Sequence, residues 1–378
     1  MYNPVAMRVL VAMSGGVDSS VAALLLKREG HEVIGVTLNL WSYAGRLEPY
    51  NNCCSLEVAA VAKQLGIEHH FLDRGRLFER EVIRRTVQEY LRGRTPNPCI
   101  WCNASVRFPA LLAEAERLGC DYLATGHYAR IIKEDGVYHL FRSRDRGKDQ
   151  SYFLYRLTQG ELGRLIFPVG DYLKEEIFEL ARKAGLLVKP QESQDLCFVP
   201  GNDYRQFLLK NSGDGIRPGE IVDTAGRVLG RHEGLPFYTV GQRRGLGLSA
   251  PEKLYVLEIE PERNRLVVGP EEGLYSHGLI ASEVNWIADP PSEGLEAEVK
   301  VRYRSSGAAA RVESLAGNRV KVVFTEPQRA VTPGQAAVFY QGEKVLGGGV
   351  IERVLKDAEA ESGREGFSHR GSPPECRR

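Results

Sequence analysis

The first half of the chain alternates short apolar runs with longer stretches of helical periodicity. The apolar runs predict β-strands at 8–12, 32–38, 68–72 and 122–125. The stretches that follow or separate them predict helices at 19–29, 55–65, 77–91, 105–118 and 174–184, several of which end at a glycine. This alternation is typical of an α/β fold with a parallel sheet, in which ligands bind at the carboxyl ends of the strands.

After about residue 205 the pattern changes to short alternating runs broken by glycine and proline. Runs at 219–223, 255–259 and 265–268 predict one small β unit. Runs at 295–303, 319–324, 336–340 and 345–354 predict a second, barrel-like β unit. We therefore expect three domains, 1–204, 205–274 and 275–355, followed by a charged tail at 356–378 that is too polar to fold.

A glycine-rich turn with the sequence MSGGVDSS, residues 13–20, joins the first predicted strand to the first predicted helix. Its glycines let the backbone turn sharply, and the helix start aims unpaired N–H groups outward. The turn is therefore either an anion site or a plain serine-capped turn. It lacks the lysine of nucleotide-hydrolysing P-loops and resembles the PP-loop, SGGxDS, of enzymes that cleave ATP between its α- and β-phosphates. That resemblance implies ATP binding, with Asp18 helping to position Mg²⁺, which prefers oxygen ligands.

The overall charge does not indicate a nucleic-acid partner, because the chain has 50 Lys and Arg residues and 49 Asp and Glu residues. Phosphates need only a local positive field, however. Three basic groups could provide one, although each alone is more typical of a solvated surface: Arg142, Arg144, Arg146 and Lys148; Arg227, Arg231, Arg243 and Arg244; Lys300, Arg302 and Arg304.

No apolar run approaches the length of a membrane span, and the N-terminus shows no signal segment. We expect a cytoplasmic protein without a membrane partner. In that reducing compartment its seven cysteines favour reactive or ligating roles over structural disulfides. Cys120 is expected to pack in the core, packing is the default for Cys53 and Cys54, and Cys376 in the tail has no expected role.

Cys99 and Cys102 form a Cys-x-x-Cys in a loop that prolines stiffen and a helix follows. A thiol near a helix start is expected to have a lowered pKa and more thiolate at neutral pH. The spacing alone fits redox, zinc and iron–sulfur roles. Zinc is disfavoured because only the adjacent Cys53 and Cys54 could supply a second pair. A third cysteine of interest, Cys197, follows the last predicted helix of this half.

Seven segments together resemble the bacterial tRNA-specific 2-thiouridylase family, and they span nearly the whole chain except its tail. They lie at 14–19, 95–102, 124–128, 148–152, 193–197, 239–243 and 333–335. The resemblance implies an N-terminal PP-loop domain and two β domains that grip tRNA. It also implies an enzyme that adenylates the 2-oxygen of the wobble uridine with ATP and then replaces that oxygen with sulfur.

The resemblance assigns site residues one position at a time. The ATP contacts are Ala12, Met13, Ser14, Gly15, Gly16, Val17, Asp18, Ser19, Leu38 and Gly126. The tRNA contacts are Asn97, Pro98, Cys99, His127, Lys148, Asp149, Gln150, Arg302, Tyr303 and Gln335. Of these, 97–99 lie beside the target base, where prolines would keep the loop rigid as the base is flipped toward it.

The resemblance leaves two sulfur mechanisms open. In one, Cys197 carries sulfur as a persulfide and Cys102 attacks it, which leaves a Cys102–Cys197 disulfide that must be reduced. In a well-known form of the family, the position of Cys99 is aspartate. Members with cysteine there resemble enzymes in which Cys99, Cys102 and Cys197 hold a 4Fe–4S cluster. Both mechanisms imply a sulfur donor, such as a cysteine desulfurase or a sulfur-relay protein, as a partner.

Two other classes of protein fit parts of the sequence. A PP-loop amide ligase also adenylates an oxygen but admits ammonia, often from an attached glutaminase. No glutaminase-like segment is evident, and a ligase would not need three placed cysteines. An RNA-binding module with a metal-stabilised Cys loop would leave the SGGVDS loop without a purpose.

Overall fold

The computed structural model describes residues 6–40, 52–188, 196–199, 201, 203–290 and 294–355. The predictions for the tail at 356–378, with Cys376, and for most of the 193–197 segment lie outside these residues. So do the side chains of Cys53 and Cys54, although the backbone there begins a helix, Asn52–Leu65.

A five-stranded parallel sheet in the order β3-β2-β1-β4-β7 forms the centre of the first half. Its strands are β1 (Arg8–Ala12), β2 (Glu32–Asn39), β3 (Glu68–Asp73), β4 (Tyr122–Thr125) and the short β7 (Leu165–Ile166). Val9, Leu10 and Val11 are fully buried, because helices cover both faces of the sheet. The predicted α/β class is confirmed, and all four predicted strands are present.

The helices pack on this sheet and lead into the central unit. They are α1 (Val17–Arg28), α2 (Asn52–Leu65), α3 (Gly75–Phe78), α4 (Arg84–Leu91), α5 (Pro98–Trp101), α6 (Phe108–Arg117), α7 (Gln159–Leu162), α8 (Lys174–Lys183) and α9 (Tyr204–Asn211). Two π-helical turns, Glu79–Ile83 and Cys102–Arg107, join α3 to α4 and α5 to α6. The helix predicted at 105–118 therefore begins earlier, at Pro98, which occupies the first turn of α5, where proline costs no hydrogen bond.

The central unit is a four-stranded sheet in the order β10-β11-β8-β9. Its strands are β8 (Gly219–Val222), β9 (Val228–His232), β10 (Tyr255–Glu260) and β11 (Arg265–Gly269). Its buried side chains, among them Val256 and Leu266, share one cluster with Phe78 and Cys102 of the first half. The central unit thus packs directly behind the Cys-x-x-Cys loop.

The last unit is a closed six-stranded antiparallel barrel, which confirms the predicted barrel-like domain. Its strands are β12 (Tyr275–Trp286), β13 (Leu295–Lys300), β14 (Ala308–Leu315), β15 (Arg319–Arg329), β16 (Ala336–Gln341) and β17 (Lys344–Leu355). Pairing of β12 with both β15 and β17 closes the ring. Closure removes the sheet edges that would otherwise expose unpaired backbone groups.

A hairpin from the first half, which the sequence analysis did not predict, extends the barrel's sheet. It consists of β5 (Ala129–Glu134) and β6 (Val137–Arg142), and β6 pairs with β17. Glu343, in the turn between β16 and β17, accepts hydrogen bonds from the guanidinium groups of Arg130 and Arg146. The PP-loop half and the barrel therefore share one continuous sheet. Within the described residues, no helix is both long and apolar enough to cross a membrane.

Candidate active site

The glycine-rich turn lies where β1 ends and α1 begins, at the carboxyl edge of the sheet. Gly15 adopts a φ of 86°, a left-handed conformation that favours glycine. The Ser19 hydroxyl accepts a hydrogen bond from the Ser14 N–H at 3.1 Å and donates one to the Gly16 carbonyl at 3.1 Å. Gly16 caps α1 without a side chain. Hydrogen bonds within the turn thus stabilise it, and the first N–H groups of α1 remain suited to binding an anion.

Neighbouring strands place the other predicted ATP contacts beside this turn. Ala12 ends β1 and lies in register with Thr125 at the end of β4. Leu38 lies near the end of β2 and packs, half-buried, against a core cluster. These positions share one edge because the three strands are parallel.

Gly126, which follows β4, lies against the glycine-rich turn. A Cβ built on Gly126 would lie 2.6 Å from the Ser19 backbone nitrogen and 2.8 Å from the Asp18 carbonyl carbon. Real Cβ atoms do not approach backbone so closely, so only glycine lets the end of β4 rest against the start of α1. The space requirement gives Gly126 a physical role at the PP-loop.

Asp18 is held by two side chains that the sequence analysis did not select. The Lys174 ammonium lies 2.7 and 2.8 Å from the two Asp18 carboxylate oxygens. The Tyr128 hydroxyl donates a hydrogen bond to the same carboxylate at 2.9 Å. Burial, followed by the negative charge of Asp18, raises the pKa of Tyr128 well above its ordinary value, so the hydroxyl stays protonated. Lys174 is 156 residues from Asp18, and no local spacing in the sequence connects them.

The loop before Cys99 is clamped by the barrel. The Thr95 N–H donates to the Pro333 carbonyl at 2.9 Å, and the Gln335 amide donates to the Thr95 carbonyl at 2.9 Å. The Thr95 hydroxyl also donates to Thr239 of the central unit at 3.3 Å. Gly334, at a φ of 93°, would place a Cβ 2.9 Å from the Thr95 nitrogen. All three units of the chain therefore meet at the base of the Cys-x-x-Cys loop.

Replacing Gly334 with alanine should loosen this clamp. Gly342→Ala is the matched control: Gly342 also has a positive φ, but nothing lies within 4 Å of its added Cβ. The control should lose only the left-handed backbone cost, about 1–2 kcal/mol. Gly334→Ala should lose more unfolding free energy and should speed alkylation of the buried Cys102, measured by mass spectrometry. Equal behaviour of the two variants would contradict the clamp.

The structure brings Cys102 and Cys197 together. Cys102 is buried at the start of the π-helical turn Cys102–Arg107, in one cluster with Phe198 and Val199, which follow Cys197. The two thiols interact electrostatically, and Arg107 acts on both. Cys102 and Arg107 are the first and last residues of this π-helical turn.

The expectation of a lowered thiol pKa is wrong for Cys102. Burial raises its pKa, and the positive charge of Arg107 opposes this only in part. The pKa of Cys197 is raised too, because protein atoms surround its thiol although the residue as a whole is exposed. At Cys102, desolvation therefore outweighs the effect of the nearby helix start on the thiol pKa.

Cys99 and Cys120 complete the set of described thiols. Cys99 is half-buried and Cys120 is buried in the core as predicted, and no disulfide joins any of the four described cysteines, which include Cys102 and Cys197. Across the described ranges, no group of three or more His, Cys, Asp or Glu side chains has a geometry that could hold a metal ion. As placed here, Cys99, Cys102 and Cys197 do not fit a 4Fe–4S cluster.

His127 connects the nucleotide edge with the thiols. Its Nδ1 lies 2.7 Å from the Thr125 hydroxyl, and Arg107 donates to its Nε2 at 3.4 Å. A nitrogen that accepts from a guanidinium carries no proton, so the other ring nitrogen holds the hydrogen. Burial, with the charge of Arg107, lowers the pKa of His127 to about 3. His127 is thus a neutral ring that orients Arg107.

Comparison with known proteins matches this architecture along the chain. Residues 7–201 match the family model of a tRNA methyl transferase HUP domain, 205–270 that of a tRNA methyl transferase PRC-barrel domain, and 276–351 that of an aminomethyltransferase beta-barrel domain. The tRNA-specific 2-thiouridylase MnmA of Carboxydothermus hydrogenoformans is 53% identical over 360 residues, covering 92% of this chain and 98% of that protein. The chain belongs to the MnmA family.

Another MnmA family member, from Geobacter metallireducens, is 52% identical over 360 residues, covering 93% of this chain and 98% of its own length. Among solved structures, the U34-tRNA thiolase NcsA from Methanococcus maripaludis, described with its 4Fe-4S cluster, matches at 19% identity with a TM-score of 0.34. That match covers 55% of this chain and 63% of the NcsA chain.

The resemblance to the MnmA family implies several tRNA contacts. Some of these side chains already form hydrogen bonds within the protein. Asp149 is buried and accepts hydrogen bonds from the backbone of Ser143 and from the Ser151 hydroxyl. Gln150 accepts from the Tyr128 N–H at 3.0 Å. These two side chains fix the shape of the 143–151 loop, which also carries the half-buried Lys148.

The predicted tRNA contacts on the barrel also form contacts within the protein. Arg302 donates to the carbonyls of Val240 and Ala330, both at 3.0 Å, and so ties the central unit to the barrel. Tyr303 packs against Phe153 with ring centroids 4.5 Å apart and the ring planes tilted by 41°. The Gln335 amide is used on the Cys loop, as described above. On the other loop, Asn97 is half-buried and Pro98 is buried.

Many of the predicted basic groups are ion-paired. Arg142, Arg144 and Arg146 pair with Glu298, Glu176 and Glu343. Arg227 pairs with Asp223, whereas Arg243 and Arg244 are exposed. Exposed pairs of this kind contribute little to stability. In the first basic group, Arg142 and Arg146 thus form ion pairs with the barrel, whereas Arg144 pairs within the first half.

Proposed function

We propose that this protein is an ATP-dependent tRNA-uridine 2-sulfurtransferase that converts the wobble uridine to 2-thiouridine, with AMP and pyrophosphate as the other products. One observation supports the proposal most: in this MnmA family member, Gly126 lies against the PP-loop, the next residue His127 contacts Arg107, and the charge of Arg107 reaches Cys102 and Cys197. The PP-loop serves adenylation, and the thiols serve sulfur transfer.

The PP-loop residues fit ATP. The N–H groups at the start of α1 and the hydroxyls of Ser14 and Ser19 surround the place for phosphate. Asp18 offers carboxylate oxygens of the kind that hold Mg²⁺, which would neutralise phosphate charge there. Adenylation converts the 2-oxygen, a poor leaving group, into part of AMP.

The sulfur step that we propose uses two cysteines. The terminal sulfur of a Cys197 persulfide attacks C2 of the adenylated uridine, and AMP leaves with the old oxygen. The Cys102 thiolate then attacks Sγ of Cys197, which breaks the S–S bond and leaves the sulfur on the tRNA as a thione. The two cysteines end as a disulfide, so an external dithiol must supply two electrons for each turnover.

The three-thiol geometry supports this relay over a cluster. Cys99, Cys102 and Cys197 do not form a metal-binding group in the described residues, whereas Cys102 and Cys197 are electrostatic neighbours. We therefore assign no step to a 4Fe–4S cluster. We propose that Asn97, Pro98 and Cys99 form the segment beside the target base.

The proposed partners are tRNA and a protein that delivers persulfide sulfur, and the proposed compartment is the reducing cytoplasm. We further propose tRNA contacts at His127, Lys148, Asp149, Gln150, Arg302, Tyr303 and Gln335. For Asp149, Arg302 and Gln335 the contact would come in addition to their internal bonds. The domain limits 1–204, 205–274 and 275–355 stand as proposals that the three family matches support.

The proposed function is tested by determining which sulfur source supports tRNA thiolation. Protein purified without oxygen is analysed for iron and sulfide, and the same sample is assayed for tRNA thiolation with ATP and either free sulfide or a persulfide donor. We expect iron-free protein that thiolates only with the persulfide donor. Stoichiometric cluster iron, with sulfide-supported activity that Cys99→Ala abolishes, would contradict the relay.

A further inference from the structure

The PP-loop has no cation of its own. Residues 13–20 contain no lysine or arginine, and their one charged side chain is the acidic Asp18. ATP carries several negative charges on its phosphates, so a loop whose only charge is negative is a poor site unless a cation comes from elsewhere in the fold.

Lys174 brings that cation. It is the first residue of α8, a helix that packs on α1, and its side chain is only 15% exposed. Its ammonium contacts both oxygens of Asp18, in the first turn of α1, at 2.7 and 2.8 Å. The positive charge therefore lies beside the N–H groups that face the anion site.

The surroundings keep the Lys174 ammonium near the loop. The rings of Phe178 and Tyr128 lie 4.9 and 5.8 Å from the nitrogen, and the Lys174 backbone N–H is fixed by Asp145 at 2.9 Å. Among the described residues, Asp18 binds the ammonium and Asp145 binds the backbone of the same lysine. A flexible ammonium with three donors can change partners without moving the backbone.

We propose that Lys174 is a phosphate-binding residue of this site: when ATP enters, its ammonium leaves Asp18 and binds the β- and γ-phosphates that depart as pyrophosphate. This assignment rests on the proposed function. The exchange also frees the Asp18 carboxylate, whose oxygens cannot serve Lys174 and a magnesium ion equally. Lys174 thus takes the part of the lysine that the loop sequence lacks.

The competing explanation is that Lys174 only neutralises Asp18, and a double-mutant cycle separates the two. Binding of ATP and of AMP is measured by equilibrium dialysis, with Mg²⁺, for wild type, Lys174→Met, Asp18→Asn and the double variant. Lys174→Met should weaken ATP binding at least about tenfold, the effect of losing a charged hydrogen bond. AMP binding, which lacks the β- and γ-phosphates, should change less than about twofold.

The double variant gives the decisive comparison. If Lys174 contacts phosphate, Asp18→Asn/Lys174→Met binds ATP more weakly than Asp18→Asn alone does, because the phosphate contact is lost in addition. Equal ATP binding by the double variant and Asp18→Asn would overturn the proposal, as would equal losses for ATP and AMP. Because the double variant removes the unpaired carboxylate, it also guards against misfolding of Lys174→Met.

Lys183→Met is the matched control. Lys183 lies on the same helix, is 63% exposed and pairs with Glu179, so ATP binding should be unchanged. Nucleotide binding needs neither tRNA nor sulfur. Failure of the wild type to thiolate tRNA would therefore count against the proposed function alone, while the binding cycle would still decide the role of Lys174.

Discussion

Gly126→Ala should reduce tRNA-dependent pyrophosphate release by at least about 100-fold, the scale of loss expected when reacting groups are displaced by about 1 Å. The added methyl group would lie 2.6 Å from the Ser19 nitrogen, so either the start of α1 or the end of β4 must shift. Both elements border the proposed nucleotide site. Pyrophosphate release in the presence of saturating tRNA measures the effect.

Gly160→Ala is the matched control, because an alanine there has no atom within 4 Å of its Cβ and needs no left-handed backbone. It should retain wild-type pyrophosphate release. If Gly126→Ala also retained it while remaining folded, the nucleotide would not be held by the contact between β4 and the PP-loop.

Cys197→Ser should abolish thiolation yet leave tRNA-dependent pyrophosphate release largely intact. The proposed adenylation site is the PP-loop, whereas Cys197 is an electrostatic neighbour of Cys102. A serine hydroxyl cannot carry a persulfide. The two activities are measured on one sample, thiolation by mass spectrometry of tRNA nucleosides and adenylation by pyrophosphate release.

Cys120→Ala is the control for losing a thiol, because Cys120 is buried in a separate core cluster. It should keep both activities at a temperature at which the variant is folded. Loss of pyrophosphate release in Cys197→Ser would mean that Cys197 acts before sulfur transfer, and its assigned role would be wrong.

The sequence predicted the parallel sheet well because its strands are short, continuously buried apolar runs, such as Val9 to Val11. It did not predict the β5–β6 hairpin, although Asp135–Gly136, both at positive φ, is the dipeptide typical of a tight hairpin turn. Strand β14 was missed too, since its start, Ala308 to Ala310, lacks large apolar residues.

The residues of the candidate site likewise fall into those that the sequence predicts and those that only the structure reveals. Local motifs located the PP-loop and the Cys-x-x-Cys, because neighbouring residues in sequence carry that chemistry. Lys174, Tyr128 and Arg107 act through contacts that only the tertiary fold creates, so spacing could not reveal them. The thiol pKa was predicted with the wrong sign because burial, which spacing does not report, outweighs the helix start at Cys102.

The most direct test of the central claim is a single-turnover reaction of persulfide-loaded protein with ATP and unmodified tRNA. Nucleosides and nucleotides from the same reaction are then quantified by mass spectrometry. We expect one 2-thiouridine at the wobble position for each AMP and pyrophosphate formed. Formation of ADP, or of AMP without 2-thiouridine, would contradict it.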